Sequence, residues 1–97
     1  MSKKLEAKDK VLAVALKLAG VIGYQKVTRD ELAHLTSVST ATISGYFGTM
    51  VHLRRAIVGE AISKRNLTVI AQALAQGDPR AKACDLAIKR AAVESLL

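Results

Sequence analysis

The sequence has few of the residues that cross-link small domains or interrupt helices. Its 97 residues include one cysteine, one proline, three aromatic residues and no tryptophan. Because Cys84 is alone, an intramolecular disulfide framework and a zinc site built from cysteines are both excluded. Its helical spacing from Ala81 and Ile88 predicts a small buried residue.

Long hydrophobic runs are missing as well. The apolar stretch 11–16 is bounded by Lys10 and Lys17, whereas a membrane-spanning helix needs about 20 apolar residues. No cleavable apolar segment follows the amino-terminal lysines. The scarcity of aromatic residues also argues against a basic amphipathic helix at a membrane surface. We therefore expect a cytoplasmic protein with no membrane partner.

Catalytic and metal-binding constellations are missing too. His34 and His52 fall on separate predicted helices, without cysteine or carboxylate partners at suitable spacing. No glycine-rich phosphate loop occurs. His34 is predicted to face solvent, and His52 to lie on the surface near a helix start. The sequence thus predicts neither an enzyme nor a protein with a cofactor or a metal.

The residue pattern of the whole sequence is typical of α-helices. Alanine and leucine are abundant, β-branched alternation is absent, and Pro79 follows Asp78 at a predicted helix start. The first helix is predicted over residues 5–21, with a core stripe of Leu12, Ala15, Leu16, Leu18 and Ala19. A second long pattern runs over 50–76. The polar residues 63–66 interrupt it, which leaves open whether one long helix exposes a polar patch or the chain bends.

The most informative segment, residues 28–47, predicts two short helices joined by a polar turn. Thr28 and Glu31 have the spacing of a capping box, in which the threonine hydroxyl accepts from the amide of residue 31 and the glutamate carboxylate accepts from the amide of residue 28. The apolar side of this first helix is Leu32, Ala33 and Leu35. In the turn, Val38 is placed to fill the gap between the helices and Ser39 to cap the second.

The second short helix has an apolar side and a hydroxyl side. Ile43 and Phe47 are spaced to be buried, whereas the outer positions are Thr40, Thr42, Ser44 and Tyr46. Short hydroxyl side chains suit a DNA major groove, where they reach base edges and phosphates without a bulky barrier. The segment therefore predicts a DNA-binding helix-turn-helix.

Positive charge is unevenly distributed along the chain. The total is +7, with +3 in residues 1–23, zero in 24–48, +3 in 49–77 and +1 in 78–97. Such an excess favours a polyanionic partner, usually nucleic acid. The neutral motif lies between basic segments suited to phosphate, although lysines that merely solvate helix faces would give the same pattern.

In order and spacing, these features resemble the TetR (tetracycline-repressor-like) family of bacterial regulators over about residues 11–57. The apolar helix 11–18 leads to Gly-Tyr at 23–24, as the family's first helix leads to a glycine and an aromatic residue. The turn 36–39 stands where the family has Ala-Gly-Val-Ser. Residues 42–47, Thr-Ile-Ser-Gly-Tyr-Phe, stand where it has Thr-Leu-Tyr-x-Tyr-Phe.

Departures from the family pattern concern the recognition stretch and the length. Ser44 replaces an aromatic residue, Gly45 separates the two aromatic positions, and Met50 stands where a phosphate-binding lysine is usual; Arg54 or Arg55 is placed to supply that charge one turn later. A glycine inside a helix costs about 1 kcal/mol relative to alanine, so a close approach of DNA or of another backbone is expected at Gly45. Only 44 residues follow Leu53, too few for the family's large ligand-binding domain, and no small-molecule effector is expected.

The resemblance implies an all-α fold: a TetR-like three-helix helix-turn-helix domain over 1–50, followed by a short arm of two helices over 51–97 for dimerisation or higher oligomerisation. It implies a sequence-specific transcriptional regulator, a repressor, which binds a palindromic operator in double-stranded DNA as a homo-oligomer. So short a regulator fits a phage or plasmid genome. The residues predicted to contact DNA are Thr28, Arg29, Ser39, Thr40, Ala41, Thr42, Ser44, Gly45, Tyr46 and Arg54.

The roles differ among these residues. The hydroxyl residues of the second helix are predicted to meet base edges, and the two caps to bring helix N-terminal amides to phosphates. Arg29 is predicted to reach a base or a phosphate. The resemblance assigns the Tyr46 hydroxyl to a phosphate, the alternative being a core ring with an exposed hydroxyl. The alternative for the whole protein is a protein-interaction module or antirepressor, in which the motif is a scaffold and the apolar C-terminal helices bind another regulator.

Overall fold

The computed structural model describes residues 3–96, with side chains from Glu6 onward, and these residues form helices without strands. This confirms the all-α prediction for the described part of the chain. The helices are α1 (Lys3–Ile22), α2 (Arg29–Thr36), α3 (Thr40–Phe47), α4 (Met50–Ser63), α5 (Leu67–Ala75), α6 (Pro79–Ala83) and α7 (Leu86–Glu94), with a 3-10 turn, Tyr24–Lys26, between α1 and α2.

Local capping fixes the starts of α2, α3 and α6, as the sequence predicts. Ser39 accepts from the amide of Thr42, and Asp78 caps α6 with Pro79 in its first turn. At α2, the Thr28 hydroxyl accepts from the amide of Glu31 at 3.2 Å. The reciprocal half of the predicted capping box differs, because the Glu31 carboxylate accepts from the Thr28 hydroxyl at 3.3 Å instead of from its amide.

The core is continuous from α1 to α7. Val11, Ala15 and Ala19 of α1 are buried and pack against residues from α2, α4 and α5. Leu16 is also buried as predicted, but Leu12 and Leu18 are only half-buried, and Val11, which the predicted stripe omits, has no exposed surface. The predicted segments 1–50 and 51–97 meet at the start of α4, whose own buried residues are part of this core.

Two corrections concern the C-terminal half. The predicted two-helix arm contains four helices. The break between α4 and α5 was left undecided by the sequence, and the break between α6 and α7 was not predicted. Arg65, with a φ of 53°, is in the left-handed region, and Asn66 then caps α5. The second break lies at Cys84 and Asp85, where extended backbone ends α6 and the Asp85 carboxylate caps α7. Cys84 is half-buried instead of buried.

Gly48 permits the sharp connection between α3 and α4. Its φ of 80° and ψ of −134° are values that side chains with a Cβ rarely adopt, and a Cβ there would lie 3.3 Å from Nδ1 of His52. We expect Gly48→Ala to lower the free energy of unfolding by about 2 kcal/mol, measured by urea denaturation. Gly20→Ala is the control, because a Cβ at Gly20 meets nothing within 4 Å. Equal effects of the two substitutions would contradict the strain assigned to Gly48.

The outline of the molecule is flattened, with extents of 38 × 27 × 18 Å. No helix among the described residues has the length and apolar character needed to cross a membrane. The connections place α3 against α1, α2 and α4, whereas α7 packs mainly on α5. The short hydroxyl-bearing helix α3 and the C-terminal helix α7 therefore belong to different parts of the surface.

Candidate nucleic-acid interface

Helix α3 exposes small side chains on one side, and its other side is buried in the core. Ile43 has no exposed surface and Phe47 is buried, so both predictions for the apolar side are confirmed. The positions on the outside are Thr40, Ala41, Thr42 and Gly45, which are exposed, and Ser44 and Tyr46, which are half-buried. The outer surface of α3 therefore consists of hydroxyl and methyl groups and one glycine, with a tyrosine at its end.

Capping restrains two of the predicted contact residues. The Ser39 and Thr42 hydroxyl oxygens lie 2.7 Å apart, and the Thr42 amide donates to Ser39 at 3.1 Å. Both side chains remain exposed. Because each hydroxyl oxygen has two lone pairs and one hydrogen, this pair keeps hydrogen-bonding capacity for an external acceptor or donor.

The turn between α2 and α3 is held by a buried threonine that the sequence analysis missed. Ser37 has a left-handed φ of 60°, and Val38 is half-buried against the core. The Thr36 hydroxyl donates to the carbonyl of Leu32 at 2.6 Å and accepts from the amide of Val38 at 3.3 Å. Leu35, predicted on the apolar side, is instead 55% exposed. Thr36 takes the inward position because its hydroxyl satisfies two backbone groups of the turn.

A side-chain hydrogen bond joins α2 to α3. Nη1 of Arg29 donates to the Ser44 hydroxyl at 2.5 Å. Both residues were predicted to contact DNA independently, and the structure brings them together instead. The bond leaves the other guanidinium N–H groups of Arg29 and the hydroxyl hydrogen of Ser44 available. Arg29 thus fixes the position of α3 while keeping part of its charged group at the surface.

A cationic cleft lies at the N-terminus of α2. Its volume is about 320 Å³, and its lining residues are Thr28, Arg29, Asp30, Met50 and Arg54. Three of these residues were predicted as DNA contacts: the neighbours Thr28 and Arg29, and Arg54, which lies 25 positions further along the chain. The buried Nε of Arg54 has no hydrogen-bond partner among the described residues. Two guanidinium groups beside the free amides of a helix N-terminus favour a bound anion, although Asp30 reduces the local positive charge.

Tyr46 lies at the end of the exposed surface of α3. Its ring packs edge-to-face on Phe47, with centroids 6.2 Å apart. The ring is half-buried, and the hydroxyl has no hydrogen-bond partner among the described residues. Nζ of Lys8 lies 5.7 Å from the centroid of the Phe47 ring, which brings a cation of α1 close to α3.

Gln72 is a positioning residue that the sequence analysis did not single out. Its Oε1 accepts from the amide of Tyr24 at 3.0 Å, and its Nε2 donates to the carbonyl of Ala19 at 3.1 Å. Gln72 therefore joins α5 to the end of α1 and the 3-10 turn, which leads directly into α2. The available signal was the single amide residue inside α5, whose other residues are apolar apart from Thr68 near its start.

Tyr24, whose amide donates to Gln72, has a buried side chain. Burial raises the pKa of its hydroxyl, and the negative charge of Asp78 raises that pKa further, whereas the hydrogen bond from Gln25 and the charge of Arg54 lower it. The phenol is therefore neutral near pH 7. Its role is to fill the junction between the 3-10 turn and the rest of the core.

Comparison with protein-family models, curated proteins and solved structures finds no match to this chain. The TetR resemblance rests on the motif residues alone and stays a prediction. Among the described residues, no three histidine, cysteine, aspartate or glutamate side chains cluster in a way that can hold a metal ion. His34 and His52 are both exposed as predicted, and Nδ1 of His52 lies 3.0 Å from the Thr49 hydroxyl.

Proposed function

We propose that the protein is a sequence-specific DNA-binding regulator, a repressor similar to those of the TetR family. In this proposal it inserts α3 into the DNA major groove. The observation that carries this proposal is the outer surface of α3. It is exposed, bears only small groups along most of its length, and is held from behind by Ile43 and Phe47. Such a surface can approach base edges closely.

Gly45 adds to this argument. It is exposed in the middle of α3, and a Cβ at this position would meet no atom of the protein within 4 Å. Packing inside the molecule therefore gives no reason for a residue that weakens the helix. A close approach of DNA supplies one.

The cleft at the start of α2 supports a phosphate contact beside the groove. In this proposal Arg54 takes the charge-bearing role of the family's lysine, and the Thr28 cap leaves the first amides of α2 directed toward a phosphate oxygen. Phosphate contacts of this kind fix the register of a protein on DNA, whereas base contacts supply its specificity. A homodimer then presents two copies of α3 to major grooves about 34 Å apart on a palindromic operator.

A protein-interaction module is the second candidate function. Exposed apolar side chains favour it, notably Leu86 and Leu96 in the C-terminal part, which are 59% and 68% exposed. In that case the outer surface of α3 is only a solvated face. Binding to duplex DNA separates the two candidates directly, because an interaction scaffold of this type needs no DNA affinity.

Tyr46→Phe tests the assigned phosphate contact. Since the Tyr46 hydroxyl has no partner among the described residues, its removal is expected to change the free energy of unfolding by less than about 0.5 kcal/mol. A hydrogen bond to a charged group contributes about 1.5 kcal/mol or more, so DNA affinity is expected to fall about tenfold for each copy, and about a hundredfold for a dimer on a palindromic operator. Fluorescence anisotropy with a labelled duplex measures the affinity, and urea denaturation measures the stability.

Tyr24→Phe is the matched control for this measurement. The Tyr24 side chain is buried, and its hydroxyl accepts from Nε2 of Gln25 at 3.5 Å. Because this hydroxyl is assigned no DNA contact, DNA affinity is expected to stay the same. If Tyr46→Phe binds DNA as tightly as the unaltered protein, the hydroxyl makes no phosphate contact and that role is removed.

A further inference from the structure

A second group of cations lies on α6 and on the adjoining part of α4. Nη1 of Arg80 donates to the carbonyl of Arg55 at 2.9 Å, which brings the two arginines together. Both side chains are exposed, and neither forms an ion pair among the described residues. Lys82 is exposed on the other edge of α6, because Ala81 is the buried residue between Arg80 and Lys82. Arg55, Arg80 and Lys82 form what we call the α6 patch.

The guanidinium group of Arg80 lies over Gly59 of α4. A Cβ at Gly59 would be 3.2 Å from Nη1 of Arg80, closer than ordinary van der Waals contact. A glycine inside a helix weakens that helix, so α4 contains an unfavourable residue at the point where Arg80 crosses it. The hydrogen bond to the carbonyl of Arg55 engages Nη1 and leaves the remaining N–H groups available to an anion. The structure thus holds this cation in place without neutralising it.

The α6 patch is continuous with the cationic cleft at the start of α2. Arg54 lines that cleft, and Arg55 follows it in α4. Besides its burial, the charge of Asp78, the N-cap of α6, raises the pKa of the Tyr24 hydroxyl, and the charge of Arg54 lowers it. The hydroxyl therefore lies near both the cleft and the start of α6. On its other side the cleft reaches α3 through Arg29, so the cations follow one another from α3 to α6.

The carboxylates beside the patch are engaged in capping. Oδ1 of Asp78 accepts from two amides of α6, and Oδ1 of Asp85 accepts from one amide of α7. Nζ of Lys89 donates to the carbonyl of Lys82 at 2.7 Å, which adds a further cation at the end of α6. The cations of this surface outnumber its carboxylates, and an excess of this kind favours a polyanion.

We propose that the α6 patch binds backbone phosphates of the same DNA duplex, just outside the segment that α3 contacts. The inference rests on the proposed function and extends the DNA contact from the helix-turn-helix into the C-terminal half of the chain. Duplex DNA fits this surface because its phosphates follow one another along the backbone, and guanidinium groups bind phosphate oxygens through several N–H groups. Such contacts add affinity and fix the register without reading sequence. Full affinity therefore requires DNA that extends beyond the operator.

A salt series on two forms of one operator tests this inference by fluorescence anisotropy. An operator selected from random duplexes is either trimmed to the base pairs that the selection specifies or extended on each side by about 10 base pairs, one helical turn. For the unaltered protein, the extension is expected to steepen the plot of log affinity against log salt by about two for each copy bound, because each phosphate contact contributes about one. On the trimmed form, the slope reflects the cations near α3 alone.

The double variant Arg55→Gln, Arg80→Gln is expected to lose this additional slope. It is expected to bind the trimmed operator as tightly as the unaltered protein does, which also shows that the variant is folded. Arg80→Lys keeps the charge and is expected to keep the additional slope. The matched control is the double variant Lys17→Gln, Arg90→Gln, which removes the same charge from exposed positions outside the patch. This control is expected to retain the full difference between the two forms of the operator.

Equal slopes on the trimmed and extended forms would overturn the inference while leaving the proposed function intact. The same holds if the Arg55→Gln, Arg80→Gln variant keeps the additional slope, or if the control loses it. A complex whose mass by light scattering includes a second duplex would assign the patch to another DNA molecule and would overturn the inference as well. Absence of binding to any duplex would instead refute the proposed function, and the inference with it.

Discussion

The affinity of the protein for duplex DNA is expected to fall about a thousandfold when the salt concentration rises from 50 to 200 mM. A dimer that neutralises about six phosphates, three for each copy, gives a slope near −5 in a plot of log affinity against log salt. The cations available near α3 include Arg29, Arg54 and Lys8. The measurement is fluorescence anisotropy with a random-sequence duplex across a salt series, with the mass followed by light scattering.

The Arg54→Gln variant tests whether Arg54 contributes to the slope of log DNA affinity against log salt concentration. Loss of one phosphate contact per copy is expected to reduce the steepness by about two for a dimer, because each contact contributes about one. Lys17→Gln removes a charge from the exposed surface of α1 and serves as the control for net charge alone. A slope near zero for the unaltered protein would argue against DNA as the partner and would favour the protein-interaction module.

Gly45→Ala is expected to make the protein more stable and its DNA binding weaker. An alanine inside a helix is favoured over glycine by up to about 1 kcal/mol, and a Cβ at Gly45 meets no protein atom within 4 Å. If α3 lies in the major groove, the same methyl group displaces the helix from the base edges. A cost of about tenfold at each half-site gives about a hundredfold loss on a palindromic operator. Urea denaturation and anisotropy with an operator selected from random duplexes measure the two effects.

Gly20→Ala separates a DNA contact from a general consequence of stiffening a helix. Gly20 is exposed in the last turn of α1, and a Cβ there also meets nothing within 4 Å. It is expected to raise stability by a similar amount while leaving DNA affinity unchanged. Tight operator binding by Gly45→Ala would mean that α3 does not approach DNA closely at this residue.

The helix starts of the motif were predictable because the signals are local. Thr28 and Ser39 each cap a helix through an amide three residues away, a distance set by the backbone itself. Ile43 and Phe47 were also correctly placed in the core, since a spacing of four residues puts both on one side of any helix. The cap at Asp78 before Pro79 follows the same local logic.

Errors arose where two positions compete or where a break has no strong marker. Leu35 is more apolar than Thr36, yet Thr36 is the buried one because its hydroxyl satisfies the turn. The end of α4 depends on a left-handed Arg65, a conformation that residue type alone does not require. The break at Cys84 was missed because the residues around it continue a helical pattern.

The sequence alone predicts an all-helical chain, the starts of α2, α3 and α6, the small hydroxyl-bearing surface of α3 and the excess of positive charge. Which of these residues meet is set by the tertiary structure. It joined Arg29 to Ser44, gathered Thr28 and Arg54 at one cleft, and connected Gln72 to Ala19 across 53 positions of the chain. Capping and periodicity act within about one helical turn, so residue order specifies them directly. Contacts between distant residues depend on how the helices pack, which is set by the whole core at once.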